Sequence, residues 1–425
     1  MRLDREHAHA LDAGDALAAW HDRFILPREA GSGRELVYLC GHSLGAQPVL
    51  ATEYVEDVMR DWRSLGVEGH FTGRHPWLSY HERLAPALAT LVGADASEVI
   101  AMNTLTTNLH LLLVSFYRPS GARRAILMER SAFPSDRHAV ESQVRFHGLD
   151  PRQDLIEIAP RDGEDWLWTE DILAVIEREG ARIATILLPG IQYLTGQVLD
   201  IEAITAAGRK AGCVVGWDLA HAVGNVPVSL HDAGADFAVW CNYKYLNGGP
   251  GAVGGAFVHA RHATDASLPR FAGWWGHEKS TRFLMAPEFR PTPGAEGWQL
   301  SNPPILAMAP LAASLEHFAA VGLPALRRKS VALTGYFERL VHARVAGRVE
   351  IITPAAPEAR GCALSLRLVG LTRDRARAVF DGLRRRSILP DWREPDVIRA
   401  APVPFYNSFD DVWRCVDALH AELVA

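Results

Sequence analysis

Residues 213–251 read CVVGWDLAHAVGNVPVSLHDAGADFAVWCNYKYLNGGPG, and this stretch decides the fold. It contains two short apolar runs, CVVGWD (213–218) and DFAVWCN (236–242), which are separated by a segment long enough for a helix. The first run ends in Asp218, and the second leads directly to Lys244 and a glycine-rich loop. Strands that alternate with helices are typical of a parallel sheet, whose carboxyl ends hold ligand sites. The stretch therefore predicts that Asp218 and Lys244 lie together at one edge of such a sheet.

Apolar runs and amphipathic segments alternate on both sides of this stretch. Further strands are predicted at 122–129, 181–190 and 255–260, and helices at 169–179 and 201–211. This alternation predicts an α/β fold with a mostly parallel sheet that is covered on both faces.

The C-terminal part of the chain has a different pattern. A long helix is predicted from SNPPILAMAPLAASLEHFAAVG (301–322), followed by strands at 363–368 and 397–403 and a helix at 373–386. This pattern is typical of a smaller α+β domain. We expect an N-terminal segment (1–60) packed on the small domain, a large domain (61–305) that carries the site, and a C-terminal part (306–425) formed by the long helix and the small domain.

Composition excludes several classes of protein. The 425 residues are 48% hydrophobic and 22% charged, with a formal net charge of −6, which argues against nucleic-acid binding. The five cysteines form no C-x-x-C pair, and the histidines show no H-E-x-x-H spacing, so neither disulfides nor a metal site are predicted. The N-terminus has no signal-like apolar region, and the longest apolar run (109–117) is too short for a membrane span. We expect a cytoplasmic protein with no membrane partner.

Lys244 is the first candidate for chemistry. A lysine just past an apolar strand lies at the mouth of the sheet, where partial desolvation makes its amine a usable nucleophile toward an aldehyde. The glycines that follow it allow close approach of the backbone to a ligand. An isolated lysine is more often a solvated loop residue. Here, however, only four of the 44 lysines and arginines are lysines, so the use of lysine at this loop is informative.

Three further segments carry residues that suit a flat, anionic, ring-containing ligand. Asp218 closes a buried strand and could meet a protonated ring nitrogen, with His221 nearby, although a helix N-cap is the common alternative. The start of MNTLTTNLHLLL (102–113) predicts a helix N-terminus that binds phosphate, or a simple cap. In FPSD, Phe133 could stack on a ring, and Asp136 could support its nitrogen or cap a helix.

Arg399, in VIRAAPVPFYNS, could hold an α-carboxylate through two parallel hydrogen bonds. Alone it is a weak signal, because the chain is rich in arginine. The order of the candidate sites along the chain is more informative. A phosphate site is followed by an aromatic residue, a strand-end aspartate, a lysine and then an arginine in a second domain. This order resembles that of pyridoxal-phosphate enzymes built like the aspartate aminotransferases.

Seven segments together resemble one family within that group, the kynureninases. They are YLCGHSLGAQP (38–48), MNTLTTNLHLLL (102–113), FPSD (133–136), GWDLAHAVGNVPVSLHDAGADFAVWCNYKYLNGGPG (216–251), GWWGHE (273–278), SNPPIL (301–306) and RAAPVPFYNSF (399–409). The resemblance implies a fold-type I pyridoxal-phosphate enzyme with a seven-stranded-type sheet. It also implies a homodimer whose active sites are shared between subunits.

The resemblance assigns roles to individual residues. It implies that Lys244 carries pyridoxal 5'-phosphate as a Schiff base. The other implied cofactor contacts are Asp218 and Asp136 at the pyridine nitrogen, His221 and Phe133 at the ring, Leu105, Thr106 and Tyr243 at the phosphate, and Trp274 and Asn302 from the partner subunit. Arg399 is expected to bind the substrate carboxylate. Tyr243 is also a candidate proton donor, with phosphate binding alone as the alternative.

The implied reaction is hydrolytic cleavage of the Cβ–Cγ bond of 3-hydroxy-L-kynurenine or L-kynurenine. Its products are 3-hydroxyanthranilate or anthranilate, with L-alanine, in tryptophan degradation or NAD biosynthesis. His70, Ser301 and Asn302 match family members that favour the 3-hydroxy substrate, because polar groups near the aryl ring would be left unpaired by the substrate without the hydroxyl.

Two positions depart from the family pattern, and they put cofactor affinity, more than reaction type, in question. His42 stands where asparagine is usual, and Pro189 stands where a serine or threonine often contacts the cofactor. A proline has neither a hydroxyl nor an N–H, so that hydrogen bond must be absent or supplied elsewhere, by water or Gln192.

Two rival functions remain open from the sequence. One is another reaction on the same scaffold, either transamination or cysteine desulfuration, for which Cys362 is the only candidate thiol in the late chain. The other is a cofactor-free binding protein, against which the joint presence of Lys244, Asp218 and Arg399 argues.

Overall fold

The computed structural model describes residues 3–265, 267–285 and 287–425. In chain order the helices are α1 (Arg5–Ala13), α2 (Leu50–Leu65), α3 (Ala85–Val92), α4 (Leu105–Phe116), α5 (Pro134–Phe146), α6 (Pro151–Asp154), α7 (Thr169–Glu179), α8 (Ile201–Lys210), α9 (Leu230–Ala233), α10 (Ile305–Val321), α11 (Leu323–Arg344), α12 (Arg373–Arg385) and α13 (Phe409–Val424). The strands are β1 (Phe24–Ile25), β2 (Val37–Tyr38), β3 (Gln47–Pro48), β4 (Val99–Ala101), β5 (Ala125–Glu129), β6 (Leu155–Ile158), β7 (Ile183–Pro189), β8 (Val214–Asp218), β9 (Phe237–Cys241), β10 (Gly254–Val258), β11 (Val349–Ile351), β12 (Leu364–Leu368), β13 (Ile388–Leu389), β14 (Asp391–Arg393) and β15 (Val397–Ala400).

A seven-stranded sheet in the order β4-β10-β9-β8-β7-β5-β6 forms the centre of the large part of the molecule. The strands from β9 to β6 are parallel, whereas β10 is antiparallel to both of its neighbours. The loop after β9 returns the chain directly beside β9, so that β10 pairs with it antiparallel. The predicted α/β fold with a mostly parallel sheet is confirmed.

The strands of this sheet are mostly apolar because helices cover both faces. Trp217 and Leu127 pack into a core on one face, whereas Met128 and Val239 pack into a second core beneath α4 and α5 on the other. Side chains of a strand alternate between faces, so two buried faces require a continuous apolar run rather than an alternating one.

The C-terminal part contains a four-stranded antiparallel sheet in the order β11-β12-β15-β14, with a separate core shared with α11, α12 and α13. Ala8, Val37 and Leu39 of the N-terminal segment belong to that core. Helix α10 instead contributes to the core of the large part, including Met308 and Leu311. The limits 1–60, 61–305 and 306–425 stay a prediction.

Several elements were not predicted. The sheet extends beyond the predicted strands by β4 and β6, which are short edge strands, and β6 is only partly buried.

Among the described helices, none alone is long and apolar enough to cross a membrane. Helices α10 and α11 meet the length and composition criteria only as a pair, which is bent by 83°.

Candidate active site

A cleft of about 750 Å³ opens at the carboxyl ends of the parallel strands. It brings together eight of the residues predicted for the site, namely Leu105, Thr106, Phe133, Asp136, Asp218, His221, Tyr243 and Lys244. Pro189 also lines this cleft. The cleft is therefore the place where the sheet topology gathers the predicted chemistry.

Lys244 lies in the loop between β9 and β10, which reverses the chain at the edge of the cleft. Its Nζ is 3.1 Å from Nε2 of His221 and 6.0 Å from the ring centroid of Phe133. The loop is held from behind by Gly45, whose amide donates to the Tyr243 carbonyl at 2.8 Å. A side chain at position 45 would collide with the Lys244 carbonyl oxygen, so only glycine permits this approach.

His221 is the nearest polar partner of the lysine amine. Burial, together with the positive charge of Lys244, lowers the pKa of His221 well below its usual range. The imidazole is consequently neutral near pH 7, and its Nε2 can accept a hydrogen bond from the amine.

Two carboxyl groups face each other on the floor of the cleft. Oδ1 of Asp218 accepts a hydrogen bond from the Ala220 amide at 2.7 Å, which fixes the side chain at the end of β8. Oδ1 of Asp136, in the first turn of α5, is buried, and none of the described residues forms a hydrogen bond with it. Burial and the adjacent Asp218 raise the pKa of Asp136 well above its usual range. A hydrogen-bond donor or a cation between the two carboxyl groups would offset their repulsion and would give Oδ1 of Asp136 a partner.

The N-terminus of α4 faces the same cleft through Leu105 and Thr106. Thr104 occupies the N-cap position, but its side chain makes no capping hydrogen bond, so the first-turn amides remain available to an anion. The Thr106 hydroxyl lies 2.8 Å from the Ser135 hydroxyl, which places a second donor beside the helix end.

These features fit pyridoxal phosphate. The α4 N-terminus offers a site for a phosphate, Phe133 provides an aromatic wall, and Lys244 provides an amine that reacts with an aldehyde. The unpartnered oxygen of Asp136 and the Asp218 carboxylate are suited to a protonated ring nitrogen.

A second, smaller cavity adjoins the cleft, and His221 and Tyr193 line both. Arg399 lies on its wall and is 2% exposed. Nε of Arg399 donates to Oδ2 of Asp391 at 2.7 Å, and Nη1 donates to the Tyr193 carbonyl. Asp391 therefore fixes the guanidinium in a position from which it could bind a carboxylate in the adjoining cavities.

His42 lines this second cavity and is 1% exposed. Its Nε2 is 3.5 Å from Oδ2 of Asp391, and within the described part of the chain neither ring nitrogen forms a hydrogen bond. Burial and the charge of Arg399 lower the pKa of His42 to about 4, so the ring is neutral at physiological pH. The departure from asparagine thus places a neutral imidazole near the predicted carboxylate-binding arginine.

Four predicted residues lie outside the cleft of their own chain. Trp274 is 44% exposed, and Ser301 and Asn302 are exposed as well. His70 contacts the Val67 carbonyl at 3.0 Å and the Trp77 ring edge-on. The predicted contacts of Trp274 and Asn302 with the cofactor therefore require a second subunit, and they stay a prediction.

Sequence reasoning missed Glu129, Gln192 as its partner, and Asp391. Glu129 lines the cleft, where Gln192 donates to its carboxyl group at 3.4 Å. The side-chain amide of Gln192 forms its hydrogen bonds with Glu129 and with the backbone of residues 131, 194 and 195. Gln192 does not line the cleft, so it does not replace the hydroxyl that Pro189 lacks. The only sequence signal for Glu129 was its position at the end of an otherwise apolar strand.

The five cysteines are unpaired, and four of them are buried. Burial raises the pKa of the Cys362 thiol to about 12, and this cysteine is 1% exposed. The other four thiols likewise have raised pKa values, chiefly because they are desolvated. A reactive thiolate of the kind that desulfuration needs is therefore disfavoured at each of these positions.

Comparisons with known proteins agree with this geometry. The family model described as the kynureninase C-terminal domain matches residues 326–419. Over the whole chain, the protein is similar to the kynureninase of Stenotrophomonas maltophilia (strain K279a), with 57% identity covering 99% of this chain and 98% of the relative. It is also 58% identical to the kynureninase of Xanthomonas campestris pv. campestris (strain B100), covering 98% and 97% of the two chains.

Solved structures of lower identity share the fold alone. The apo cysteine desulfurase from Thermococcus onnurineus NA1 matches with a TM-score of 0.74 and 17% identity, covering 91% of this chain and 94% of the other. The cysteine desulfurase CsdA from Escherichia coli matches with a TM-score of 0.75 and 16% identity, covering 96% and 98%.

Proposed function

Because this chain belongs to the kynureninase family, we propose that its cleft holds pyridoxal 5'-phosphate on Lys244 and that the eight gathered residues bind it. The enzyme is a hydrolase that cleaves the Cβ–Cγ bond of a kynurenine, an amino-acid substrate, to release an anthranilate and L-alanine. The observation that carries the residue assignment is the convergence of Lys244, the carboxyl pair and the α4 N-terminus in one cleft.

Pyridoxal phosphate, when bound, supplies an electron sink that stabilises negative charge at the substrate Cα. The protein must supply the proton transfers. We propose Lys244 as the base for the Cα proton, because its Nζ lies in the cleft and, among the described residues, hydrogen-bonds only the neutral His221. Asp218 and Asp136 hold the ring nitrogen in its protonated form, which makes the sink effective.

Tyr243 is the proposed general acid. Burial raises the pKa of its phenol above the usual range, so the hydroxyl keeps its proton at neutral pH. The ring lies within 6.0 Å of the Lys244 Nζ, which places it near the reacting atoms. After water has added to the γ-carbonyl, a protonated tyrosine can donate its proton to Cβ as the Cβ–Cγ bond breaks. Phosphate binding alone remains the alternative role.

Arg399 is proposed to bind the substrate α-carboxylate. Its guanidinium is held by Asp391 and the Tyr193 carbonyl, so little conformational freedom is lost when a carboxylate binds. The cavity on which it lies adjoins the cleft through His221 and Tyr193, which supports a substrate that spans Arg399 and Lys244.

Selectivity for 3-hydroxykynurenine is proposed to come from His70, Ser301 and Asn302. The expected result is that the wild type prefers the 3-hydroxy substrate and that His70→Ala narrows the ratio of the two kcat/KM values by about tenfold, because a hydrogen bond to the hydroxyl is lost. Side-by-side turnover of both kynurenines, with alanine and each anthranilate quantified, measures this.

The same assay separates the proposal from its rivals. An unchanged substrate ratio in His70→Ala would contradict the account of selectivity while leaving the reaction intact. Sulfide released from cysteine, with no anthranilate from either kynurenine, would contradict the function itself. A purified protein that stays colourless after pyridoxal phosphate is added would support the cofactor-free alternative.

A homodimer with shared sites is proposed because Trp274 and Asn302 lie outside the cleft of their own chain. We expect Lys244→Ala and Trp274→Ala subunits, each weakly active alone, to recover activity when they are mixed and allowed to exchange. One of the two sites in such a hybrid contains both native residues. Mixed Lys244→Ala and Lys210→Ala subunits are the control for exchange, and no gain above the separate Lys244→Ala and Trp274→Ala samples would contradict site sharing. The cytoplasmic location stays a prediction.

A further inference from the structure

Glu129 is a buried carboxyl group in the cleft that none of the assigned roles uses. It ends strand β5, lines the cleft and is 4% exposed. Its Oε1 accepts a long hydrogen bond of 3.4 Å from Nε2 of Gln192, and no described residue donates to Oε2. No arginine or lysine among the described residues forms an ion pair with it. A charged carboxylate in such a place would be poorly compensated.

The groups around Glu129 add further negative charge. Asp218 on β8 and Asp136 on α5 line the same cleft, whose basic groups are Lys244 and the neutral imidazole of His221. Burial raises the pKa of Glu129 to about 7, and the charge of Asp218 acts in the same direction, while the hydrogen bond from Gln192 opposes it. A large part of Glu129 is thus protonated at neutral pH.

Gln192 fixes the orientation of this carboxyl group. Its Oε1 accepts from the Leu194 amide at 2.6 Å and from the Thr195 amide at 2.8 Å, so the side-chain amide cannot turn over. Nε2 is therefore the end presented to Glu129 and to the Ser131 carbonyl at 3.3 Å. Because Gln192 can only donate to Oε1, a proton on Glu129 is left for Oε2, which has no partner.

We propose that Glu129 is a further cofactor-binding residue, a protonated carboxyl that donates a hydrogen bond into the cleft, with Gln192 as the residue that positions it. The inference rests on the proposed function, since it assumes that the cleft holds pyridoxal phosphate. Pro189, at the end of the neighbouring strand, offers neither a hydroxyl nor an N–H. Glu129 supplies a donor on the side of the cleft where Pro189 cannot.

Binding of pyridoxal phosphate to the apoenzyme, followed by absorbance, tests the proposal. Glu129→Gln keeps a neutral donor of the same shape, and we expect its Kd at pH 6 to stay within about threefold of the wild type. Glu129→Met keeps the volume but has no donor, and its Kd should rise by about tenfold or more. Equal Kd values for the wild type and Glu129→Met would mean that Glu129 contributes only packing and no hydrogen bond to the cofactor. Loss of affinity in Glu129→Gln as large as in Glu129→Met would show that the anion is required, and either result overturns the proposal.

The pH dependence provides a second readout that survives if Glu129→Met does not fold. When binding requires a protonated group, affinity falls by tenfold per pH unit above the pKa of that group in the free protein. The ratio of the wild-type Kd to that of Glu129→Gln should therefore be constant below about pH 7 and rise above it. A ratio that stays flat from pH 6 to 9 contradicts the proposal. A wild type that binds no pyridoxal phosphate at any pH would instead contradict the proposed function.

Discussion

Replacing Lys244 with alanine is expected to lower kcat by at least about a thousandfold, because both the attachment point of the cofactor and the proposed base for the Cα proton are removed. His221 is a poor substitute for the lysine, because burial still lowers the pKa of its ring when Lys244 is absent. The purified variant should also lose the absorbance band of lysine-bound pyridoxal phosphate. Steady-state turnover of 3-hydroxykynurenine and the absorption spectrum measure the two effects.

Lys210→Ala is the matched control, because Lys210 is an exposed lysine at the end of α8 and takes no part in the cleft. Its turnover and spectrum should equal those of the wild type. If Lys244→Ala kept more than a tenth of the wild-type kcat, with its absorbance band unchanged, the assignment of this lysine would be wrong.

Replacing Asp218 with asparagine is expected to lower kcat by about 10²- to 10³-fold, because an amide cannot balance the charge of a protonated ring nitrogen. The asparagine Oδ1 can still accept from the Ala220 amide, so the local backbone should be preserved. Burial raises the pKa of the remaining carboxyl, Asp136, so this group holds negative charge less readily and is a poor substitute for the Asp218 carboxylate. Single-turnover kinetics with 3-hydroxykynurenine would separate this effect on chemistry from weaker cofactor binding.

Asp200→Asn is the control for this substitution. Asp200 is the exposed N-cap of α8, and its side chain accepts from the Ala203 amide at 2.9 Å. We expect wild-type kcat and, because asparagine also caps helices, an unchanged free energy of unfolding. If Asp218→Asn behaved like this control in turnover, Asp218 would be a structural cap rather than the partner of the cofactor.

The central sheet could be predicted because its strands are buried on both faces and therefore read as apolar runs. Lys244 and Asp218 were identifiable because each directly follows such a run, and the sheet topology then requires them to meet. The edge strands β4 and β6 carry a weaker signal, since they are short and β6 is half-exposed.

The surroundings of the site could not be predicted in the same way. Glu129 accepts a hydrogen bond from Gln192, and Asp391 orients Arg399, two contacts that only the folded chain creates. The isolated buried ring of His42 also has no signature in sequence. The roles of Trp274 and Asn302 are the hardest to predict from the sequence, because they depend on a second subunit.

The most direct test of the account is to locate the cofactor on the polypeptide. The enzyme saturated with pyridoxal phosphate is treated with borohydride, which fixes the cofactor to its lysine, and the digested peptides are sequenced by mass spectrometry. We expect a single modified lysine, Lys244, in the peptide that contains CNYKYLNGG. Modification of Lys210, Lys279 or Lys329 instead, or of no lysine at all, would contradict it.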